Sequence, residues 1–125
     1  MRKLVLVMAL VLIMVPLVAA AAYAGNQIIQ CAGIPCVATS QSDLVYERIG
    51  NGLNDKIYLK EGSDQVRANG YTRDRDLIYG SKGYDLIYVN DGDTNDRIRG
   101  GAGFDKCYVD SQREVVSGCD SVIVR

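Results

Sequence analysis

Short segments with one pattern of polar and apolar positions recur along most of this chain. Each begins with Asp and places a branched or compact apolar residue two positions later, as in Asp76-Leu77-Ile78 and Asp85-Leu86-Ile87. In a β-strand, positions two apart project to the same side, so each segment predicts a short strand that turns both side chains inward. The predicted inward column is Val45, Ile57, Val66, Ile78, Ile87, Ile98, Cys107 and Val116.

The spacing of these segments shows a longer repeat. The Asp residues are separated by 12, 9, 12, 9, 11 and 9 positions, which corresponds to a double unit of about 20 residues. The aligned Asp residues form two columns: Asp43, Asp64, Asp85 and Asp105 in one, and Asp55, Asp76 and Asp96 in the other. Such a period is typical of a solenoid. We therefore predict an all-β fold, a parallel β-roll or β-helix built from nonapeptide half-turns. The longer gaps, which contain Glu47, Ala68 and Val89, are interpreted as loop insertions.

Glycine accompanies one of the two Asp columns. Residues 100–108 fit the pattern G-G-x-G-x-D-x-U-x at every fixed position if Cys107 is accepted as the apolar residue U. Gly62, Gly83 and Gly103 align at the repeat period. Glycine permits a tight turn in which backbone carbonyls converge, and Asp adds a carboxylate.

These residues resemble the hemolysin-type (RTX) calcium-binding repeats, over about residues 39–110. The resemblance implies a β-roll with Ca²⁺ between stacked turns, bound by the Asp side chain and by backbone carbonyls. On this basis, the best predicted site lies between two turns, and a third turn extends its column. The predicted residues are Gly80, Lys82, Gly83 and Asp85, then Gly100, Gly101, Ala102, Gly103 and Asp105, and finally Gly62 and Asp64.

The other Asp column predicts a second type of calcium site. The segment 91–96 is rich in oxygen ligands, and Asp91, Asp93 and Asp96 are expected to stack beside Asp76, with Asp74 nearby. The alternative for both columns is that the carboxylates are turn-forming groups that accept backbone N–H bonds.

The first residues predict a targeting segment. Arg2 and Lys3 precede an apolar run at 4–18, and Ala22-Tyr23-Ala24 matches an A-x-A cleavage site. We predict a signal peptide at 1–24, with an uncleaved anchor helix as the alternative, and secretion to the extracellular space or the cell envelope. The mature chain is then divided into an N-terminal cap at 25–38, repeats at 39–110 and a C-terminal cap at 111–125.

Four cysteines in an exported chain predict two disulfides. The length of a solenoid would separate the two ends beyond disulfide reach, which favours Cys31–Cys36 and Cys107–Cys119. The rival interpretation, a four-cysteine zinc site, is disfavoured by the same separation.

Together these features predict a secreted calcium-binding β-roll whose Ca²⁺ stabilises the fold. The alternative is a metal-free structural or adhesive module that binds a cell-wall glycan or a surface protein through exposed Leu and Tyr, above all Tyr46, Tyr88 and Tyr108. The chain contains no histidine, which excludes Ser-His-Asp and H-E-x-x-H chemistry, and we predict no enzymatic activity. Without Arg2 and Lys3 there are 12 basic and 15 acidic residues, which argues against nucleic acid or a membrane surface as a partner.

Overall fold

The computed structural model describes residues 28–33, 35–47 and 52–125, so the predicted signal peptide lies outside the described residues. These residues form eleven short β-strands and one 3₁₀ turn at Gln112–Glu114. The strands are β1 Ile28–Cys31, β2 Pro35–Val37, β3 Leu44–Glu47, β4 Lys56–Tyr58, β5 Gln65–Arg67, β6 Leu77–Gly83, β7 Leu86–Tyr88, β8 Arg97–Gly103, β9 Lys106–Val109, β10 Val115–Ser117 and β11 Ser121–Val124.

The strands alternate between two parallel sheets, as expected for a solenoid. The first sheet has the order β1-β3-β5-β7-β9-β11, and the second has the order β10-β8-β6-β4-β2. The register follows the predicted repeat, because Val45 pairs with Val66 and Val66 with Ile87. The predicted all-β solenoid is therefore confirmed. No helix within the described residues has the length and apolar character needed to span a bilayer.

The core is thicker than the sequence pattern predicts. A second set of residues turns inward where each strand ends, and it includes Ala68 and Val89, which are 1% and 0% exposed. Their backbone N–H groups continue the ladder by donating to the carbonyls of Tyr88 and Tyr108. The assignment of these two positions to loop insertions is therefore wrong. The buried apolar residues are Cys31, Cys36, Ala38, Val45, Ile57, Leu59, Val66, Ala68, Ile78, Ile87, Val89, Ile98, Cys107 and Val109.

Val116 departs from the predicted inward column. Its side chain is 48% exposed, whereas Val115 packs against the core and pairs with Ile98. The 3₁₀ turn that precedes β10 shifts the strand by one residue, and a one-residue shift exchanges the two faces of a strand. The prediction that Val116 lies in the core is wrong for this reason.

Both predicted disulfides are present, Cys31–Cys36 and Cys107–Cys119. The first joins β1 to β2 in the first described coil. The second joins β9 to the residues before β11, the last strand of its sheet. The bridges therefore lie at opposite ends of the stack, where each coil has only one neighbour.

Tyrosine rings stack on the outer faces of both sheets. The ring centroids of Tyr58 and Tyr79 are 4.9 Å apart in the second sheet, and those of Tyr88 and Tyr108 are 4.4 Å apart in the first. Arg67 occupies the position between Tyr46 and Tyr88 and lies over the Tyr88 ring. Because neighbouring rings cover one another's faces, these ladders stabilise the stacking of coils.

Two matched valine substitutions test the core assignment. Val66→Ala removes two methyl groups from a fully buried side chain and should lower the free energy of unfolding by about 2 kcal/mol. Val116→Ala removes the same groups from an exposed side chain and should change it by less than about 0.5 kcal/mol. Urea denaturation with the disulfides intact measures both. An equal decrease in the free energy of unfolding for the two variants would contradict the observation that Val116 points outward from β10.

Candidate metal centre

The turns between the sheets form two long edges of the solenoid. The glycine edge, as we name it, consists of residues 59–64, 80–85 and 100–105, which lead from the second sheet into the first. The acidic edge consists of residues 68–76, 89–96 and 110–114, which lead from the first sheet into the second, together with Glu47 and Asp55 of the preceding coil. Ten of the fifteen acidic residues are buried, and all of these except Asp43 lie along the two edges.

One carboxylate oxygen of each repeating Asp connects its coil to the coil before it. On the glycine edge, the N–H of Asp64 donates to Asp85 Oδ1 at 3.0 Å, and the N–H of Asp85 donates to Asp105 Oδ1 at 2.9 Å. On the acidic edge, the N–H of Asp55 donates to Asp76 Oδ1 at 2.8 Å, and that of Asp76 donates to Asp96 Oδ1 at 2.7 Å. The turn-forming role held as an alternative thus accounts for one oxygen of each side chain.

The second carboxylate oxygen of these side chains has no such hydrogen-bonding role. Oδ2 is buried and has no hydrogen-bond partner in Asp55, Asp64, Asp76, Asp85, Asp96 and Asp105. Burying a carboxylate oxygen without a partner is unfavourable by several kcal/mol unless a proton or a cation compensates it. Within the described part of the chain the only salt bridge joins Lys82 to Glu61, and both side chains are exposed. No described Lys or Arg therefore neutralises the buried carboxylates.

The glycine edge brings the predicted turn residues into register. Ser81, Lys82 and Gly83 pair with Gly101, Ala102 and Gly103 as a parallel ladder, and Asp85 and Asp105 follow in line. A Cβ atom on Gly80 would lie 2.6 Å from Asp85 Oδ2, so this position requires glycine. The side chain of Lys82 points to solvent and pairs with Glu61 at 2.9 Å, while its carbonyl accepts the Gly62 N–H.

Close backbone packing explains the aligned glycines of this edge. A Cβ atom on Gly83 would collide with the carbonyl oxygen of Gly62, and one on Gly103 would collide with that of Gly83. All three glycines have positive φ, which is 126° at Gly62, 135° at Gly83 and 124° at Gly103. The close stacking of this edge therefore requires glycine at these positions, as the sequence pattern indicated. The clusters of three carboxyl groups, in contrast, lie on the acidic edge.

The acidic edge gathers carboxylates from successive turns. The N–H of Arg73 donates to Asp93 Oδ2 at 2.6 Å, and the N–H of Gly92 donates to Asp110 Oδ2 at 2.9 Å, so the three turns stack directly. Among the described residues four triads result, each with one oxygen per residue within 4.8 Å of the others. The triads are Glu47, Asp55 and Asp76; Asp74, Asp76 and Asp96; Asp74, Asp91 and Asp93; and Asp93, Asp96 and Glu114.

The triad of Asp74, Asp76 and Asp96 is the most completely buried of those at the centre of this edge. The three side chains are 4%, 1% and 1% exposed. Both oxygens of Asp74 and Oδ2 of the other two have no hydrogen-bond partner. Arg73 and Arg75, which alternate with these residues in the same turn, are exposed. The backbone thus turns carboxylates inward and cations outward, an arrangement compatible with a bound metal ion.

Sequence reasoning found part of this centre. Asp76, Asp91, Asp93 and Asp96 were predicted, and the structure brings each of them into a triad. Asp74 was expected only as a neighbour, but it belongs to two triads.

Glu47 and Glu114, which belong to two of the triads, were missed as candidate ligands. Glu47 had been assigned to a loop, and Glu114 lies in the 3₁₀ turn, where its Oε2 accepts the N–H groups of Asp110 and Ser111. A usable signal was the position of Glu47 four residues after Asp43, where the following repeats carry Ala68 after Asp64 and Val89 after Asp85.

Burial and mutual repulsion raise the pKa of these carboxyls. Burial, reinforced by the neighbouring Glu47 and Asp96, raises the pKa of Asp76 to about 9. Burial also raises the pKa of Asp96 to about 8, with Asp91 and Glu114 adding to the effect. On the glycine edge, burial raises the pKa of Asp85 to about 7. Without a cation, much of the buried acidic charge is therefore removed by protons at neutral pH.

Comparison with known proteins assigns no role to this edge. No protein-family model, no curated protein and no solved structure matches the chain. The function is therefore argued from the turns and their carboxylates.

The raised pKa values predict how stability depends on pH in a chelating buffer. Above about pH 4, which is near the pKa of an unfolded Asp, the folded chain retains a proton on Asp64 up to about pH 6, on Asp85 up to about 7, on Asp96 up to about 8 and on Asp76 up to about 9. The free energy of unfolding should therefore fall as the pH rises through this window. Urea denaturation at pH 5, 7 and 9 measures the change. Asp76→Asn, whose amide does not titrate, should flatten the dependence, and stability that rises with pH would contradict the prediction.

Proposed function

We propose that this protein is a secreted, non-catalytic calcium-binding β-solenoid in which Ca²⁺ at the acidic edge stabilises the stack of coils. The observation that carries the proposal is the buried triad of Asp74, Asp76 and Asp96. Its carboxylates include four buried oxygens without hydrogen-bond partners, and one oxygen of each residue lies within 4.8 Å of the other two. A cation would compensate their charge and satisfy the oxygens at the same time.

The donor set favours calcium over softer metals. Every side-chain ligand at this edge is an oxygen, the chain has no histidine, and the four cysteines are paired in disulfides. Calcium binds six to eight oxygens at about 2.3–2.6 Å, so ligands on opposite sides of the ion lie roughly 5 Å apart. In each triad one oxygen per residue lies within 4.8 Å of the other two, so three carboxylates are close enough to bind the same ion. Asp91 and Asp93 would supply further oxygens, with water completing the shell.

Secretion is part of the proposal. The predicted signal peptide and the two disulfides both point to an oxidising compartment outside the cytoplasm. Extracellular calcium modules function with dissociation constants of about 10⁻⁴–10⁻³ M. A site of modest affinity would therefore be occupied after export, and its occupancy would favour the folded chain by mass action.

The glycine edge is the second location for calcium, and the resemblance to RTX repeats favours it. Its Asp85 and Asp105 also have an unpartnered Oδ2. However, the carbonyl of Lys82 is already used by the Gly62 N–H, and the turns are packed too closely for a Cβ atom. An ion bound to the Lys82 carbonyl would have to compete with the Gly62 N–H, whereas the triads of the acidic edge consist of side-chain carboxyl groups. We therefore assign the principal site to the acidic edge.

The adhesive alternative has weaker support. Stacked tyrosines such as Tyr88 and Tyr108 cover the ring faces that a sugar would contact. Binding to cell-wall fractions that survives in a chelator would nevertheless favour it over the calcium proposal.

Matched Asp→Asn variants test the calcium site. Millimolar Ca²⁺ should raise the melting temperature of the oxidised mature chain. Asp74→Asn should weaken the apparent Ca²⁺ affinity at least tenfold, because it removes a charged ligand common to two triads. Asp85→Asn, the control on the glycine edge, keeps the Oδ1 acceptor of its stacking hydrogen bond and should retain the response. Calcium titration followed by thermal unfolding measures all three proteins.

The possible outcomes separate the two edges. A response abolished in Asp85→Asn but kept in Asp74→Asn would move the ion to the glycine edge. A wild-type protein that is folded and indifferent to Ca²⁺ would overturn the proposed function. In a chelator, Asp74→Asn should be at least as stable as the wild type, because it removes a buried charge.

A further inference from the structure

Glu47 is the one carboxylate that interrupts an otherwise apolar column of the core. Its position in the first sheet corresponds to Cys31, which pairs with it, and to Ala68 and Val89 in the following coils. Those residues are at most 1% exposed, and Glu47 itself is 6% exposed. A residue that breaks a local packing rule without an evident structural gain is a candidate for function.

The surroundings of Glu47 supply one hydrogen bond and two further carboxylates. Its Oε2 accepts the N–H of Gly70 at 2.9 Å. Its carboxyl group contacts that of Asp76, and Asp55 completes a triad with oxygens within 4.8 Å of one another. All three side chains are buried, and no described Lys or Arg forms a salt bridge with any of them.

The hydrogen bonds of Asp55 and Asp76 use only one oxygen of each side chain. Asp55 Oδ1 accepts the N–H of Gly33, and Asp76 Oδ1 accepts the N–H of Asp55. Asp55 Oδ2 and Asp76 Oδ2 are buried and accept no hydrogen bond, and the Glu47 carboxyl that contacts Asp76 adds a further acidic group there. These orphaned atoms are a second observation, independent of the clustering of acids, and they indicate a missing positive ligand.

We propose that Glu47, Asp55 and Asp76 form a second Ca²⁺ site, which shares Asp76 with the site at Asp74 and Asp96. This inference rests on the proposed calcium function and adds a ligand set that contains no glycine-turn residue. The second ion would connect the end of β3 to the starts of β4 and β6. Because Asp76 belongs to both ligand sets, binding of one ion would affect binding of the other.

Three isosteric substitutions separate the two sites. Glu47→Gln keeps an oxygen that can accept the Gly70 N–H but loses the charge. Asp55→Asn likewise keeps an acceptor for the Gly33 N–H. Asp74→Asn changes the first site only, because Asp74 is absent from the Glu47 triad. Circular dichroism in a chelator checks that each variant is folded, and Asp55→Asn serves as the test if Glu47→Gln is not.

Isothermal titration calorimetry with Ca²⁺ on the oxidised mature chain counts the ions. We expect Glu47→Gln and Asp55→Asn each to bind one Ca²⁺ fewer than the wild type while retaining the Asp74 site. Asp74→Asn should lose a different ion and keep the Glu47 site. Unchanged stoichiometry and affinity in both Glu47→Gln and Asp55→Asn would overturn the second site and leave the proposed function intact. A wild-type chain that binds no Ca²⁺ would overturn both.

Discussion

The hydrogen bond from the backbone N–H of one Asp to the carboxylate of the Asp in the next coil is the interaction on which this solenoid depends. It recurs along both edges, for example from Asp64 to Asp85 and from Asp55 to Asp76. It requires a short, buried acceptor at the point where each turn enters a strand, and so it explains why Asp is repeated there. It also uses only one of two oxygens. From Asp55 to Asp105 the fold therefore creates, at each repeating Asp, a buried acceptor that the fold itself does not satisfy.

The two edges differ in how they surround that second oxygen. On the glycine edge the backbone approaches so closely that Gly80 cannot carry a Cβ atom without contacting Asp85 Oδ2. On the acidic edge the turns are longer and add Asp74, Asp91 and Asp93, which increases the negative charge instead of diluting it. Protons compensate that charge where the pKa is raised, as for Asp76. A cation would compensate several carboxylates at once, which is why we regard the longer turns as functional.

The features that depend only on the repeat period could be predicted from the sequence. The orientation of residues where the chain leaves a strand could not. The Asp columns, the inward aliphatic residues, the disulfide pairing and the parallel solenoid all derive from spacing and strand alternation. Whether Ala68 or Glu47 turns inward depends instead on where the chain leaves the strand, and stacking against the neighbouring coils determines that point. Val116 was misplaced because a 3₁₀ turn shifted β10 by one residue. The membership of Glu114 in a carboxylate triad depends on the same turn, so the sequence pattern did not reveal it.

The disulfides and the carboxylate triads connect different parts of the stack. Cys31–Cys36 and Cys107–Cys119 restrain the first and last coils, where each repeat has a single neighbour. Most of the triads join turns of the intervening coils, from Glu47 through Asp76 to Asp96, which lie between the two disulfides; the last triad extends to Glu114, inside the loop that Cys107–Cys119 closes. In a solenoid whose stability is a sum of contacts between neighbours, restraint at the ends does not prevent the middle coils from separating. Cations held between the middle turns would add the neighbour contacts that the disulfides cannot provide, and they would do so only where calcium is available.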